Sequence, residues 1–341
     1  MAVSLKHIAE HLNVSTCIVS QVLNDHPRAR TLRPETREKI LSAARELGYS
    51  RNEMAAAMAK KHSNILAFVT GDMGSVEYTG RIQNGVLDAA GACGYLVMLH
   101  RLNNSSPAET IRKILGWRAA GVIFHVVSLE DIREITPVLD KNKIPWGTVN
   151  LSNPGRIGVT SNDFAGTEEL TGLLSQKGHR RTAYAAVETP PGEFRRAREN
   201  GYLSGMKKYY PADEPVFIRL PQPVDNENID MQNVIPEIRE KQINAVICES
   251  DHIAACLLRQ AVQSGLRVPE DLAIAGFGNS IISEYTNPPL TTVAQDFEDM
   301  ATQTLRQLVG VIEKRKALTE YGQFLPVRII RRGSTGAGRQ Q

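Results

Sequence analysis

Thr16, Cys17, Ser20 and Gln21 lie within the stretch VSTCIVSQVLN, spaced so that a helix over it turns all four to one side. Two hydroxyls, a thiol and a carboxamide offer donors and acceptors at short reach, with no neighbouring base to turn one of them into a nucleophile. Such a face suits the major groove of DNA, whose base edges present complementary groups, and a carboxamide such as Gln21 can bond adenine through two bonds. Just beyond it, the loop DHPRARTLRPE carries Arg28, Arg30 and Arg33, side chains fit for phosphate oxygens. The chain contains no G-x-S-x-G, no Walker sequence, no G-x-G-x-x-G after a strand and no H-E-x-x-H. No catalytic residue, cofactor or metal site is therefore expected, and the chain does not read as an enzyme.

For that polar face to exist, short helices must form and be braced. LKHIAEHL (residues 5–12) and TCIVSQVL (residues 16–23) are each too short to be stable alone. Ser4 and Ser15 suit their N-caps, and Asn13 in the turn between them tolerates a positive φ. Val14, Val19, Val22 and Leu23 point inward. The brace is RPETREKILSAARELGY, where Pro34 suits a first turn, Ile40, Leu41, Ala44 and Leu47 make one apolar stripe, and Gly48 supplies the stop. This is a helix-turn-helix pattern, with a purely structural three-helix cap as the alternative. NEMAAAMAKKHSN follows, alanine-rich and about two turns long, helical by propensity but too weakly apolar to hold itself together.

Charge separates this head from the rest. Residues 1–62 hold ten Lys and Arg against six Asp and Glu, whereas the remaining residues hold 30 against 31. The positive excess is confined to the head, which fits a polyanionic partner there and equally a solvated charged surface. The four cysteines lack metal-ligand spacing and read as reduced thiols. No run approaches the roughly 18 apolar residues of a membrane span, and no signal-peptide h-region opens the chain. A cytoplasmic protein without a membrane partner is expected.

From Asn64 the texture changes. ILAFVT, YLVMLH, GVIFHVV and IPWGTV are continuous apolar runs separated by helical stretches; TAYAAV, PVFIRL, NAVICE and LAIAGF repeat the theme. Buried parallel strands with crossover helices have this signature, so two α/β lobes with a cleft between them are predicted.

The head LKHIAEHLNVSTCIVSQVLN and its brace PETREKILSAARELGY resemble the DNA-binding head of the lactose-repressor (LacI/GalR) family of bacterial regulators, whose typical core reads V-S-x-x-T-V-S-R-V-L-N. The chain keeps Val14, Ser15, Val19, Ser20, Val22, Leu23 and Asn24, and departs at Ile18, Gln21 and Asn13. The resemblance implies DNA contacts at Ser15 and Asn24 besides the four polar residues above. It also implies a hinge helix after the brace, with Met58 as an apolar wedge for the minor groove and Asn52 and Ala55 matching beside it. KGHRRTAYAAV, SGLRVPEDLAIAGFGN, PPLTTVAQ and LPVRIIRRGSTG extend the resemblance along almost the whole chain.

The fold so implied is a helix-turn-helix head (1–49) and hinge (50–62), then a periplasmic-binding-protein-like pair of lobes, 63–160 with 291–320 and 161–290 with 321–333, and a polar tail (334–341). By the same resemblance an effector would meet Arg198, in RENGY, together with Ser250 and Asp251 in CESD, Asn279, and Tyr78 in the unusual loop GDMGSVEYTG. His125 and Trp146, at strand ends, either line the cleft or belong to the core. Gly278 stands where the family carries a sugar-gripping Asp, and SND (161–163) reverses the usual D-N. Losing that acid favours an anionic effector, such as a sugar acid or phosphorylated sugar, anchored by the Arg198 guanidinium. The expected protein is thus a homodimeric, operator-binding regulator tuned by a small polar effector and associated with the nucleoid when on DNA. A solute-binding protein without DNA binding is the alternative, but it should carry a signal peptide and no basic head.

Overall fold

The computed structural model describes residues 3–24, 26–50, 63–73, 77–102, 106–151, 156–188, 193–221, 229–314 and 322–336. It divides into two units, residues 1–63 and 64–341.

In the first unit α1 (Leu5–Leu12), α2 (Thr16–Leu23) and α3 (Pro34–Glu46) enclose a small core of Ile8, Ala9, Val19, Val22, Ala29, Ile40, Ala43 and Ala44. The tight α1–α2 turn depends on Asn13, which adopts the left-handed conformation at φ 50. The Ser15 hydroxyl then accepts the Ile18 amide at 3.3 Å and starts α2. Between α2 and α3 the arginine-bearing loop winds into a 3-10 turn (Pro27–Thr31) that buries Ala29. Gly48, at φ 66, ends the third helix, with the Tyr49 amide reaching back to the Ala44 carbonyl at 2.8 Å.

The second unit holds two six-stranded sheets. β1 (Ile65–Thr70), β2 (Leu96–Arg101), β3 (Gly121–His125), β4 (Trp146–Val149), β5 (Ile157–Ser161) and β11 (Gln323–Leu325) build one, in the order β11-β5-β4-β3-β1-β2 and wholly parallel. β6 (Thr182–Val187), β7 (Val216–Leu220), β8 (Ala245–Cys248), β9 (Ala273–Gly278), β10 (Thr291–Ala294) and β12 (Arg328–Ile330) build the other, in the order β12-β10-β9-β8-β6-β7, parallel except for the β10–β12 pair. Central strands of both are buried end to end, which is why they read as unbroken apolar runs.

The first sheet is covered by α4 (Glu77–Ala92), α5 (Pro107–Gly116), α6 (Leu129–Lys141) and α12 (Phe297–Ile312). The second is covered by α7 (Asp163–Gln176), α8 (Glu193–Tyr209), α9 (Val234–Glu240), α10 (Asp251–Gln263) and the single turn α11 (Ile282–Tyr285). The chain changes sheet three times: from β5 into α7, from β10 into α12, and from β11 into β12. Two expected boundaries shift accordingly. Residues 291–294, expected with the first lobe, form a strand of the second sheet, and residues 323–325, expected with the second, pair with β5 in the first. Both segments lie beside crossovers and are too short for periodicity to assign them to a sheet.

Candidate functional sites in the head and between the lobes

On α2 the buried side chains are Val19 and Val22, which leaves Ser15, Thr16 and Cys17 exposed and Ser20 and Gln21 half-buried on the opposite side. The Gln21 Nε2 reaches the Cys17 Sγ at 3.4 Å, so these two side chains lie together one helical turn apart. Asn24, expected as a DNA contact, also closes the end of α2: its Nδ2 donates to the Ser20 carbonyl at 2.7 Å and to the Ser20 hydroxyl at 3.1 Å. Arg28, Arg30 and Arg33 are all exposed. The 3-10 turn fixes the first two, because His26 Nδ1 accepts the Arg28 amide at 3.2 Å and Ala29 anchors the turn in the core. Asn52, Ala55 and Met58 lie outside the described residues.

In the second unit the carboxyl ends of the strands carry the polar groups, as expected where strand order reverses in an open parallel sheet. Arg198 of α8 is buried, 7% exposed, and all three of its guanidinium nitrogens bond within the protein. Its Nε donates to Asp163 Oδ2 at 2.8 Å, its Nη1 to the Glu249 carbonyl at 2.6 Å, and its Nη2 to Gln295 Oε1 at 3.3 Å. The guanidinium also lies 3.9 Å from the centre of the Phe277 ring. Asp163 Oδ1 accepts from the Ser161 hydroxyl at 2.5 Å and from Gln295 Nε2 at 3.1 Å. Arg195 is likewise paired, 2.7 Å from Glu249 Oε1. This network corrects the expected anionic anchor, because the Arg198 charge is already neutralised by a carboxylate of the chain.

The other expected effector residues are also engaged. Asp251 accepts from Thr292 Oγ1 at 2.5 Å and from the Ser280 amide at 2.7 Å, while burial pushes its pKa above the usual carboxylate range. Ser250 caps α10 through the Ile253 amide at 3.3 Å. Asn279 turns its Oδ1 to Arg332 Nη2 at 2.8 Å, so it does not stand in for the missing acid at Gly278. Tyr78 packs against Phe297 and His125, with ring centres 5.5 and 6.0 Å apart. Burial, opposed first by the charge of Arg198, raises its pKa. His125 is 1% exposed and neither ring nitrogen has a hydrogen-bond partner among the described residues; burial pushes its pKa down to about 4. Trp146 belongs to the core, its Nε1 donating to Asp140 at 3.0 Å.

A cavity of about 440 Å³ opens beside this network, lined in part by Asn150, Leu151, Phe164, Phe194 and Phe324. Sequence reasoning missed these residues together with Asp163, Glu249 and Gln295. The signal available was positional: Asn150, Asp163, Glu249 and Gln295 each follow directly on the end of a strand or within two residues of it. Among the described residues there is no disulfide, no cluster of groups able to hold a metal ion, and no helix long and apolar enough to cross a membrane.

A helix-turn-helix head followed by two crossover-linked α/β lobes defines a class of regulator, and the comparisons agree. Residues 4–52 match the family described as "Bacterial regulatory proteins, lacI family", and residues 171–335 match the "Periplasmic binding protein-like domain". The chain is 27% identical to the HTH-type transcriptional regulator RegA of Clostridium saccharobutylicum, over 98% of this chain and 100% of that protein. It is 26% identical to catabolite control protein A of Staphylococcus xylosus, with the same coverage. Its fold matches the lac repressor dimer bound to operator and the anti-inducer ONPF with a TM-score of 0.83 at 23% identity, covering 99% of this chain and 100% of that one. The chain belongs to the LacI family: it is a DNA-binding transcriptional regulator, not an enzyme.

Proposed function

We propose that the chain binds a palindromic operator as a homodimer in the cytoplasm, represses transcription there, and responds to a small molecule held between its lobes. Residues 1–49 are the reading head, 50–62 the hinge, and the two sheets the sensor. The observation that carries this reading is the outer side of α2 and its N-cap, where Ser15, Thr16 and Cys17 are exposed and Ser20 and Gln21 half-buried, while Val19 and Val22 face the core. Arg28, Arg30 and Arg33 flank it as phosphate contacts.

One such helix reads only a few base pairs, so two copies related by a twofold axis supply both affinity and a palindromic site. The second unit supports pairing. Tyr285 and Ile281 are 80% and 63% exposed, and Leu96 on the edge strand β2 is 56% exposed, apolar surface that a second copy can cover. The lac repressor similar in fold is itself a dimer on operator DNA. The cavity at the crossovers supports the sensor role, because it lies where the chain passes between sheets and its filling would bias their arrangement. Selection from a pool of random duplexes by gel shift tests the reading. The retained sequences should converge on an inverted repeat; retention without any sequence preference, or none, would overturn it.

A further inference from the structure

We infer that the cavity at the crossovers takes an uncharged ligand with an aromatic, flat apolar body, and that Asp163 is the residue that keeps anions out of it. The inference rests on the reading of this cavity as the effector site and assigns its ligand class.

The walls argue for the apolar body. Phe164 and Phe324 are 41% and 60% exposed, and Phe194 and Leu151 border the same space. Rings left open to water around a concavity gain free energy when another flat apolar surface covers them. The charges argue against an anion. The charged group that lines the cavity is the Asp163 carboxylate, and Arg198 behind it is bonded through each nitrogen, to Asp163, to the Glu249 carbonyl and to Gln295, with the Phe277 ring against its face. An anion seeking Arg198 must expel the Asp163 carboxylate or be buried beside it, and both are unfavourable.

The polar inventory argues against a polyol. A sugar needs several unspent groups converging on its hydroxyls. Here the Ser161 hydroxyl and Asp163 are bonded to each other and to Gln295, and Asn162 Oδ1 accepts the Ala165 amide at 3.1 Å. Asn150 Oδ1 is different: it is buried without a hydrogen-bond partner among the described residues, which suits one donor on an otherwise apolar ligand.

The test is titration calorimetry of the full chain at neutral pH with four probes: 2-naphthol, 2-naphthoate, glucose and gluconate. Wild type should bind 2-naphthol about tenfold or more tightly than 2-naphthoate, whose carboxylate would lose water with no unspent cation to pair with. Phe324→Ala should weaken 2-naphthol by up to about tenfold, the worth of one ring contact. Asp163→Asn should admit 2-naphthoate; should that variant fail to fold, the two-probe ratio on wild type and the Phe324→Ala loss decide the matter. Preferred binding of glucose, gluconate or 2-naphthoate by wild type overturns the ligand class but leaves an effector site in place. No binding of any probe at millimolar concentration overturns both the class and the effector reading.

Discussion

Arg198 and Asp163 hold each other 2.8 Å apart in a site where both are nearly closed to water. A buried pair is costly to form, but removing one partner is worse, because the other is left charged and desolvated. Arg198→Gln should therefore destabilise the second unit by about 3–5 kcal/mol in urea unfolding. The double variant with Asp163→Asn should recover a good part of that loss; no recovery would mean that the pairing is not what the fold relies on. His125 gives a second residue-level prediction, with a definite sign. Its imidazole titrates near 4 in the fold and at about 6.5 in the unfolded chain, so the unfolded chain takes up the proton first as pH falls. The contribution is complete above about pH 6.5 and is lost between there and about pH 4, up to roughly 3 kcal/mol. His125→Phe should flatten the stability–pH curve across that window, and an unchanged curve would contradict the burial argument. The guanidinium could be singled out in the sequence, but its partners could not. Asp163, Glu249 and Gln295 lie 35, 51 and 97 residues from Arg198 and are brought to it only by the sheets, and no local pattern encodes such a meeting.

At the scale of elements, α1, α2 and the strands were readable because each is governed by a local rule: capping by Ser15, a left-handed Asn13, or an unbroken apolar run. The 3-10 turn was not, since Ala29 looks like any loop residue until the core closes on it. That turn carries Arg28, proposed above as a phosphate contact, and Arg33 follows at the start of α3. Arg28→Ala and Arg33→Ala should each weaken specific and non-specific DNA binding alike and lower the salt slope by about one. Relaxed preference at a single base position would assign them to base reading instead. On β9 a Cβ added at Gly276 would overlap Asp251 Oδ1, which is held by Thr292 and Ser280. Gly276→Ala should consequently lower the thermal midpoint of the second unit by several degrees, an effect of about 1–3 kcal/mol. A midpoint within a degree of wild type would show that Asp251 is not locked.

At the scale of the molecule, the division between a basic reading head and a near-neutral α/β body follows from the charge distribution and from the change of texture at Asn64. The proposed pairing of two chains would join the two functions, and sedimentation at micromolar concentration should show a dimer; a monomer would leave the exposed Tyr285 and Leu96 unexplained. The central claim is that the polar side of α2 reads bases. Fluorescence anisotropy on the selected operator and on an unrelated duplex, with wild type, Thr16→Ala and Gln21→Ala, tests it most directly. Each substitution should cost about 1–3 kcal/mol on the operator and leave the unrelated duplex nearly unchanged. Equal losses on both duplexes, or none on either, would contradict the account.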